Sequence, residues 1–297
     1  MEVFQEAFGE LIDPSARLER VADGFVFIEG PVWDFGARHL TFSDLVGNIV
    51  YRYDETGGTR VYRQPSDFSN GMTLDDEGSL VVCEHRTRRV SRETPSGFET
   101  VVDRYEGKRL NSPNDVVPAR DGSLLFTDPP FGLTEEYGGI GEEQELPFQG
   151  VFRVPPGSGE PELLTDDLTT PNGLVLSPSE DTLYVADTEE GHVRAFGVGQ
   201  GWTLSGGEVL VELPQDGEGV PDGLKADTQG NLFCTGPGGI WVCSPAGDLL
   251  GRIPIPEVAA NLNWGDDDAR TMYITASTTL YRLRCRTTGY VPYRRRA

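Results

Sequence analysis

One pattern recurs along this chain and limits its fold more than any other feature. It runs as an amide or acid, then Gly or Asp, a short strand with alternating apolar residues, a D/S/G turn, and a second apolar strand. Four copies are clear: SNGMTLDDEGSLVVCE from Ser69, PNDVVPARDGSLLFTD from Pro113, PNGLVLSPSEDTLYVAD from Pro171 and PDGLKADTQGNLFCTG from Pro221. Two more keep the register with weaker identity, EGPVWDFGARHLTFSD from Glu29 and NLNWGDDDARTMYITA from Asn261. The units begin at Glu29, Asn70, Asn114, Asn172, Asp222 and Asn261, with spacings of 41, 44, 58, 50 and 39 residues. Four short strands of a propeller blade need about 40–50 residues. The spacing therefore predicts an all-β, single-domain, six-bladed β-propeller over residues 1–297, with a twelve-strand sandwich pair as the alternative.

Third and fourth strands are visible in several units: NIVYRYD and RVYRQ, RVSRET and FETVVD, VFRVPP and PELLTDD. Residues 1–28, with the strand-like RLERVADGFVF, are expected to pair beside YRLRC and close the ring, leaving no open edge. The chain holds 37 Gly and 21 Pro. That is roughly a fifth of its residues, too turn-rich for a helical bundle. The third unit is longest, and its excess falls at 131–150, FGLTEEYGGIGEEQELPFQG. This insertion reads either as a lid over one end of the ring or as a solvated connection.

In a propeller the innermost strand of each blade runs along the central channel, so equivalent repeat positions form a ring. Here that ring is Glu29, Asn70, Asn114, Asn172, Asp222 and Asn261. It contains two carboxylates and no Lys, Arg or His. Such oxygen donors suit a hard cation, Ca²⁺ first, with Mg²⁺, Mn²⁺ or Zn²⁺ open. The competing reading is that Asn and Asp merely cap local turns, although Glu29 is not a turn former. The net charge of −23 disfavours nucleic acid and anionic membranes as partners. No run approaches the roughly 20 apolar residues of a membrane span, and the acidic start does not read as a targeting peptide. Cys83, Cys234, Cys243 and Cys285 form no CxxC pair and are expected to be reduced thiols of a cytoplasmic protein. Oligomeric state leaves no mark on the sequence.

The segments EGPVWD, NSPNDVV, PNGLVLS and PDGLKAD resemble the SMP-30/gluconolactonase/LRE-like family, six-bladed propellers that hold a divalent cation and hydrolyse sugar lactones. SNGM at Ser69, CEHRTRRV at Cys83 and FTDPPFGL at Phe126 further resemble its bacterial gluconolactonase branch. The likeness covers roughly residues 20–285. It implies metal ligation by Glu29, Asn172 and Asp222, with Asn114 a further ligand or a substrate contact. Family members that carry an arginine two residues before that amide have Ser112 here. Arg109 stands nearby but out of register, as a candidate substrate contact.

Lactone opening needs a polarised carbonyl, an activated water and a proton for the leaving alkoxide. A cation held by amides and two carboxylates would polarise the carbonyl, and Asp222 is expected to double as ligand and general base. His85 is a second candidate for proton transfer or substrate binding, against the plainer reading of an exposed histidine between Glu84 and Arg86. His39 and His192 sit in turn-like stretches and are given no role. Asp115 beside the ring is either a substrate contact or a turn residue, and Asn70 is grouped with the substrate contacts. Asp44, Asp128 and Asp187 end second strands and are expected to hold turns. Trp33, Trp202, Trp241 and Trp264 are expected to fill gaps between blades. Two other activities fit the same scaffold: a phosphotriesterase or other esterase, favoured by an apolar pocket, and a non-catalytic calcium-binding propeller.

Overall fold

The computed structural model describes residues 1–139 and 141–294. Position 140 of the expected insertion and positions 295–297 of the expected domain lie outside them. Among the described residues six antiparallel sheets of four or five strands follow one another along the chain, with a two-stranded ribbon, Arg104–Tyr105 with Lys108–Arg109, between the second and third. The innermost strands are Ile28–Asp34, Ser69–Leu74, Val116–Pro118, Pro171–Leu176, Leu224–Ala226 and Ala259–Gly265, in blades 1 to 6. Each touches the next, and the sixth touches the first, so they form a closed ring as the repeat predicts.

Closure comes from the N-terminal segment. Glu19–Asp23 pairs antiparallel with Thr279–Arg284, aligning Glu19 with Arg282 and Asp23 with Thr279, and supplies the fourth strand of blade 6. Glu2–Val3 adds a fifth strand to blade 5 beside Leu249–Pro254. This covers edges that would otherwise present unpaired backbone groups.

The core is divided into wedges, one between each pair of neighbouring blades. Val32 and Val50 of blade 1 meet Met72 and Val82 of blade 2, and Ile28 and Phe42 meet Tyr273 and Leu280 across the blade 6 junction. The tryptophans occupy such places. Trp33 stacks on Tyr273 at 5.3 Å, Trp264 meets Phe233 edge-on at 5.0 Å, and Trp241 is buried between blades 4 and 5. Trp202 is partly buried against the wedge of blades 3 and 4 and donates to Asp121.

Carboxylates at the ends of second strands grip the chain entering their own blade. Asp44 accepts the N–H groups of Val26 and Phe27, Asp187 those of Thr169 and Thr170, and Asp128 that of Asn111. One residue earlier, Ser43 and Thr127 donate their hydroxyls to the carbonyls of Asn70 and Asn172 in the following blades. Local turn-holding and blade-to-blade stitching thus come from adjacent residues of one repeat position. His39 and His192 correct the reading of turn-like stretches: each begins a strand, His39–Asp44 and His192–Val198.

Candidate active site at one end of the axis

The six ring positions converge as the repeat requires. Glu29, Asn70, Asn114, Asn172 and Asn261 are almost fully buried, and Asp222 keeps partial exposure. What places them is a break in the ladder: the pairing of the innermost strand shifts between Glu29 and Val32, between Ser69 and Met72, and between Pro171 and Leu174. Such irregularities re-aim side chains next to active sites. At each one a glycine lets the backbones of neighbouring blades approach, and Gly71 and Gly173 donate to the carbonyls of Asn114 and Asp222.

The ring side chains are not equivalent. Glu29 Oε2 accepts from the Gly30 N–H at 2.8 Å and from Asn261 Nδ2 at 3.1 Å. Asn261 accepts the Leu262 N–H on its own oxygen and donates its amide to Glu29, so it supports that carboxyl. Asn172 donates to Thr188, which leaves its Oδ1 buried without a protein partner; Asn70 Oδ1 is orphaned in the same way. Buried oxygens of this kind carry a desolvation cost unless something binds them.

The charges point the same way. Burial pushes the Glu29 carboxyl up to about 7, reinforced by nearby Asp115. Asp222 is pushed well up by burial, then by Glu29 and Asp115. Against these three carboxylates stands Lys225, whose Nζ lies 3.5 Å from Asp115 Oδ2 and donates to the Leu224 carbonyl. Ionising both Glu29 and Asp222 would leave two negative charges with no counter-charge, which is what a divalent cation would supply. Among the described residues no three His, Cys, Asp or Glu side chains gather closely enough to hold a metal by themselves. The available donors are instead two carboxylates and amide oxygens, a set suited to a hard ion.

The insertion lies over this end of the axis. Its residues Phe131–Leu133 and Glu135–Tyr137 form two 3-10 turns. Tyr137 packs between Phe27 and Phe131, and its phenol is raised by burial, by Glu136 and by Asp222. Glu142 is gripped by Arg88 and Arg109, each at 2.8 Å, and Glu145 accepts the Arg109 N–H. Arg109 is thereby engaged as an anchor of the insertion, and the structure does not bring its guanidinium to the ring. Ser112 is buried, donating to the Pro129 carbonyl and accepting the Gly132 N–H. At the opposite end, Tyr290, Pro292 and Tyr293 close the channel beneath a cavity of about 20 Å³ that Lys225 and Asn263 also line.

His85 is fully buried, against the exposed reading, and both ring nitrogens are engaged, Nε2 with Asn70 and Nδ1 with the Tyr137 carbonyl. Burial lowers its pKa to about 4.

The model of the SMP-30/gluconolactonase/LRE-like region matches residues 27–278. The chain belongs to this family. It is 33% identical to a gluconolactonase of Zymomonas mobilis over 96% of this chain and 86% of that protein. It is 26% identical to a pentonolactonase of Haloferax volcanii over 90% of this chain and 84% of that one. A solved gluconolactonase structure from Xanthomonas campestris superposes with a TM-score of 0.89 at 37% identity, covering 96% of this chain and 94% of that one.

For this family member, reasoning from the sequence passed over Lys225 and Tyr137. Lys225 left a signal: the chain has two lysines, and this one interrupts an apolar strand start in GLKAD. Tyr137 left none, because its place depends on how the insertion folds back. Cys83, Cys234, Cys243 and Cys285 are all unpaired and buried. Among the described residues no helix is long and apolar enough to cross a membrane.

Proposed function

We propose that this chain hydrolyses a sugar lactone with the help of one divalent cation, Ca²⁺ first, held by Glu29, Asn172 and Asp222 with Asn114 beside them. The observation that carries the reading is the pair of buried carboxyls that lack a counter-charge when ionised, beside orphaned amide oxygens, at the covered end of the axis of a gluconolactonase-family chain. The bound ion would polarise the lactone carbonyl and stabilise the charge that develops on its oxygen.

The chain's own residues supply the rest. Asp222, the ring carboxylate that keeps contact with solvent, takes the proton of the attacking water as general base. Asn70, Asn114 and Asp115 offer oxygens and amides to substrate hydroxyls. Lys225 keeps Asp115 paired, so the unpaired charge collects at Glu29 and Asp222. The insertion above them narrows access to the reacting end. A wall of amides and carboxylates favours a hydroxyl-bearing substrate over an apolar ester or phosphotriester.

The test is proton release from a panel of sugar δ- and γ-lactones by metal-stripped protein, restored in turn with Ca²⁺, Mg²⁺, Mn²⁺ and Zn²⁺. Turnover of at least one lactone, dependent on the ion and lost in Glu29→Gln, is expected. Turnover that survives stripping removes the cation from the reading, and tight ion binding without turnover of any lactone moves it to a binding propeller.

A further inference from the structure

His85 stands between the insertion and the axial ring. On one side its Nδ1 lies 3.1 Å from the carbonyl oxygen of Tyr137 in the insertion, and on the other its Nε2 lies 3.2 Å from Nδ2 of ring residue Asn70. A carbonyl can only accept, so Nδ1 carries the proton and Nε2 receives one from the Asn70 amide. That choice of tautomer fixes the amide: Nδ2 faces the imidazole, and Oδ1 is the atom left without a partner on the ring.

The surroundings hold the imidazole in place. It is fully buried, and Gly132 rests against its ring so closely that a Cβ there would strike it. The neighbouring Arg86 donates to the Gly138 carbonyl, and Gly138 in turn lies on the Phe68 ring, so the same stretch of insertion is pinned on both sides of Tyr137. Backbone contacts tie His85 to its own blade as well, its N–H donating to Phe68 O.

We infer that His85 is a positioning residue that couples the seating of the insertion to the orientation of Asn70, presenting Asn70 Oδ1 to a substrate hydroxyl when Tyr137 is seated over the channel. With both nitrogens committed, the ring has no free position from which to pass a proton to substrate. This inference rests on the lactonase reading for its substrate, but not for the coupling itself.

Two substitutions separate holding from proton transfer. Gln has an amide N–H to give Tyr137 and an oxygen to receive Asn70, whereas Phe has neither. His85→Phe should lower kcat/KM by up to about 100-fold, the cost of a small misplacement in a reacting geometry, and should speed amide hydrogen exchange across residues 131–139. His85→Gln should restore both to within a few-fold, with an unchanged pH profile. Nitrogen NMR of the wild-type imidazole should show the Nδ1-protonated, neutral tautomer at pH 7. If His85→Gln is as inactive as His85→Phe while its exchange is normal, the ring carries a proton and the inference is wrong. It is equally wrong if His85→Phe keeps wild-type kcat/KM, or if the NMR shows Nε2 protonated. Should the wild type open no lactone, the lactonase reading fails by itself, and hydrogen exchange with the tautomer still decides the coupling.

Discussion

The ammonium of Lys225 stands 3.5 Å from Oδ2 of Asp115, with both side chains nearly closed off from solvent. Removing one partner of a buried pair strands the other charge, at a cost of about 3–5 kcal/mol. Lys225→Met should therefore lose about that much stability in urea without added ion. Ca²⁺ should restore more stability to the variant than to the wild type, because a dication on the axis takes over as counter-charge. Equal responses of the two proteins to Ca²⁺ would separate Lys225 from the axial site.

Asp222→Asn tests the base directly. Loss of a general base costs about 10²–10⁴ in rate, so proton release from the best lactone should fall by that factor. Stability without ion should hold or rise, since a carboxyl pushed up by burial and by Glu29 gives way to a neutral isostere. A variant that folds and turns over at the wild-type rate excludes Asp222 from the role.

Asp128 governs a pH effect of definite sign. Burial raises its carboxyl from 3.8 to about 7, and Oδ1 has no partner among the described residues. Between those values the folded state keeps a proton that the unfolded chain has released, so stability falls as pH rises from about 4 to about 7 and then levels. Asp128→Asn still offers an oxygen to the Asn111 N–H and removes the titration. From pH 5 to pH 8 the wild type should lose about 3 kcal/mol more than the variant, two pKa units at about 1.4 kcal/mol each. Urea unfolding at the two pH values checks it; parallel losses would place the carboxyl near its ordinary range.

Gly30 has φ of 51° and turns its missing Cβ toward the Asn70 carbonyl of the next blade. Gly30→Ala combines a strained backbone with a collision between blades, and should destabilise by about 3 kcal/mol or more. Thermal unfolding would show a drop of several degrees, and an unchanged melting temperature would mean that the blades can part there at no cost.

Much of this architecture was legible before any coordinates. The repeat spacing gave six blades, because antiparallel strands joined by short turns pair with their neighbours in sequence, and equivalent positions must then face one axis. The roles of Asp44 and Asp187 followed for the same reason, since a carboxylate ending a strand reaches the nearest backbone N–H groups. The ring was readable as six positions but not as six environments. Asn261 proved to support Glu29, from 232 residues away, by a bond that no local pattern encodes.

The sequence by itself therefore determined the fold, a closure from within residues 1–28 and the identity of the axial side chains, all consequences of local pairing and strand periodicity. That residues 19–23 close blade 6 while residues 2–3 join blade 5 came from the structure. Tertiary structure alone decided that His85 is buried beneath the insertion, that Arg109 holds Glu142, and that Lys225 balances Asp115. The physical reason is that burial and charge are sums over everything nearby. On a propeller axis those neighbours come from every blade, so the state of each ionisable group is set by residues far away in the chain.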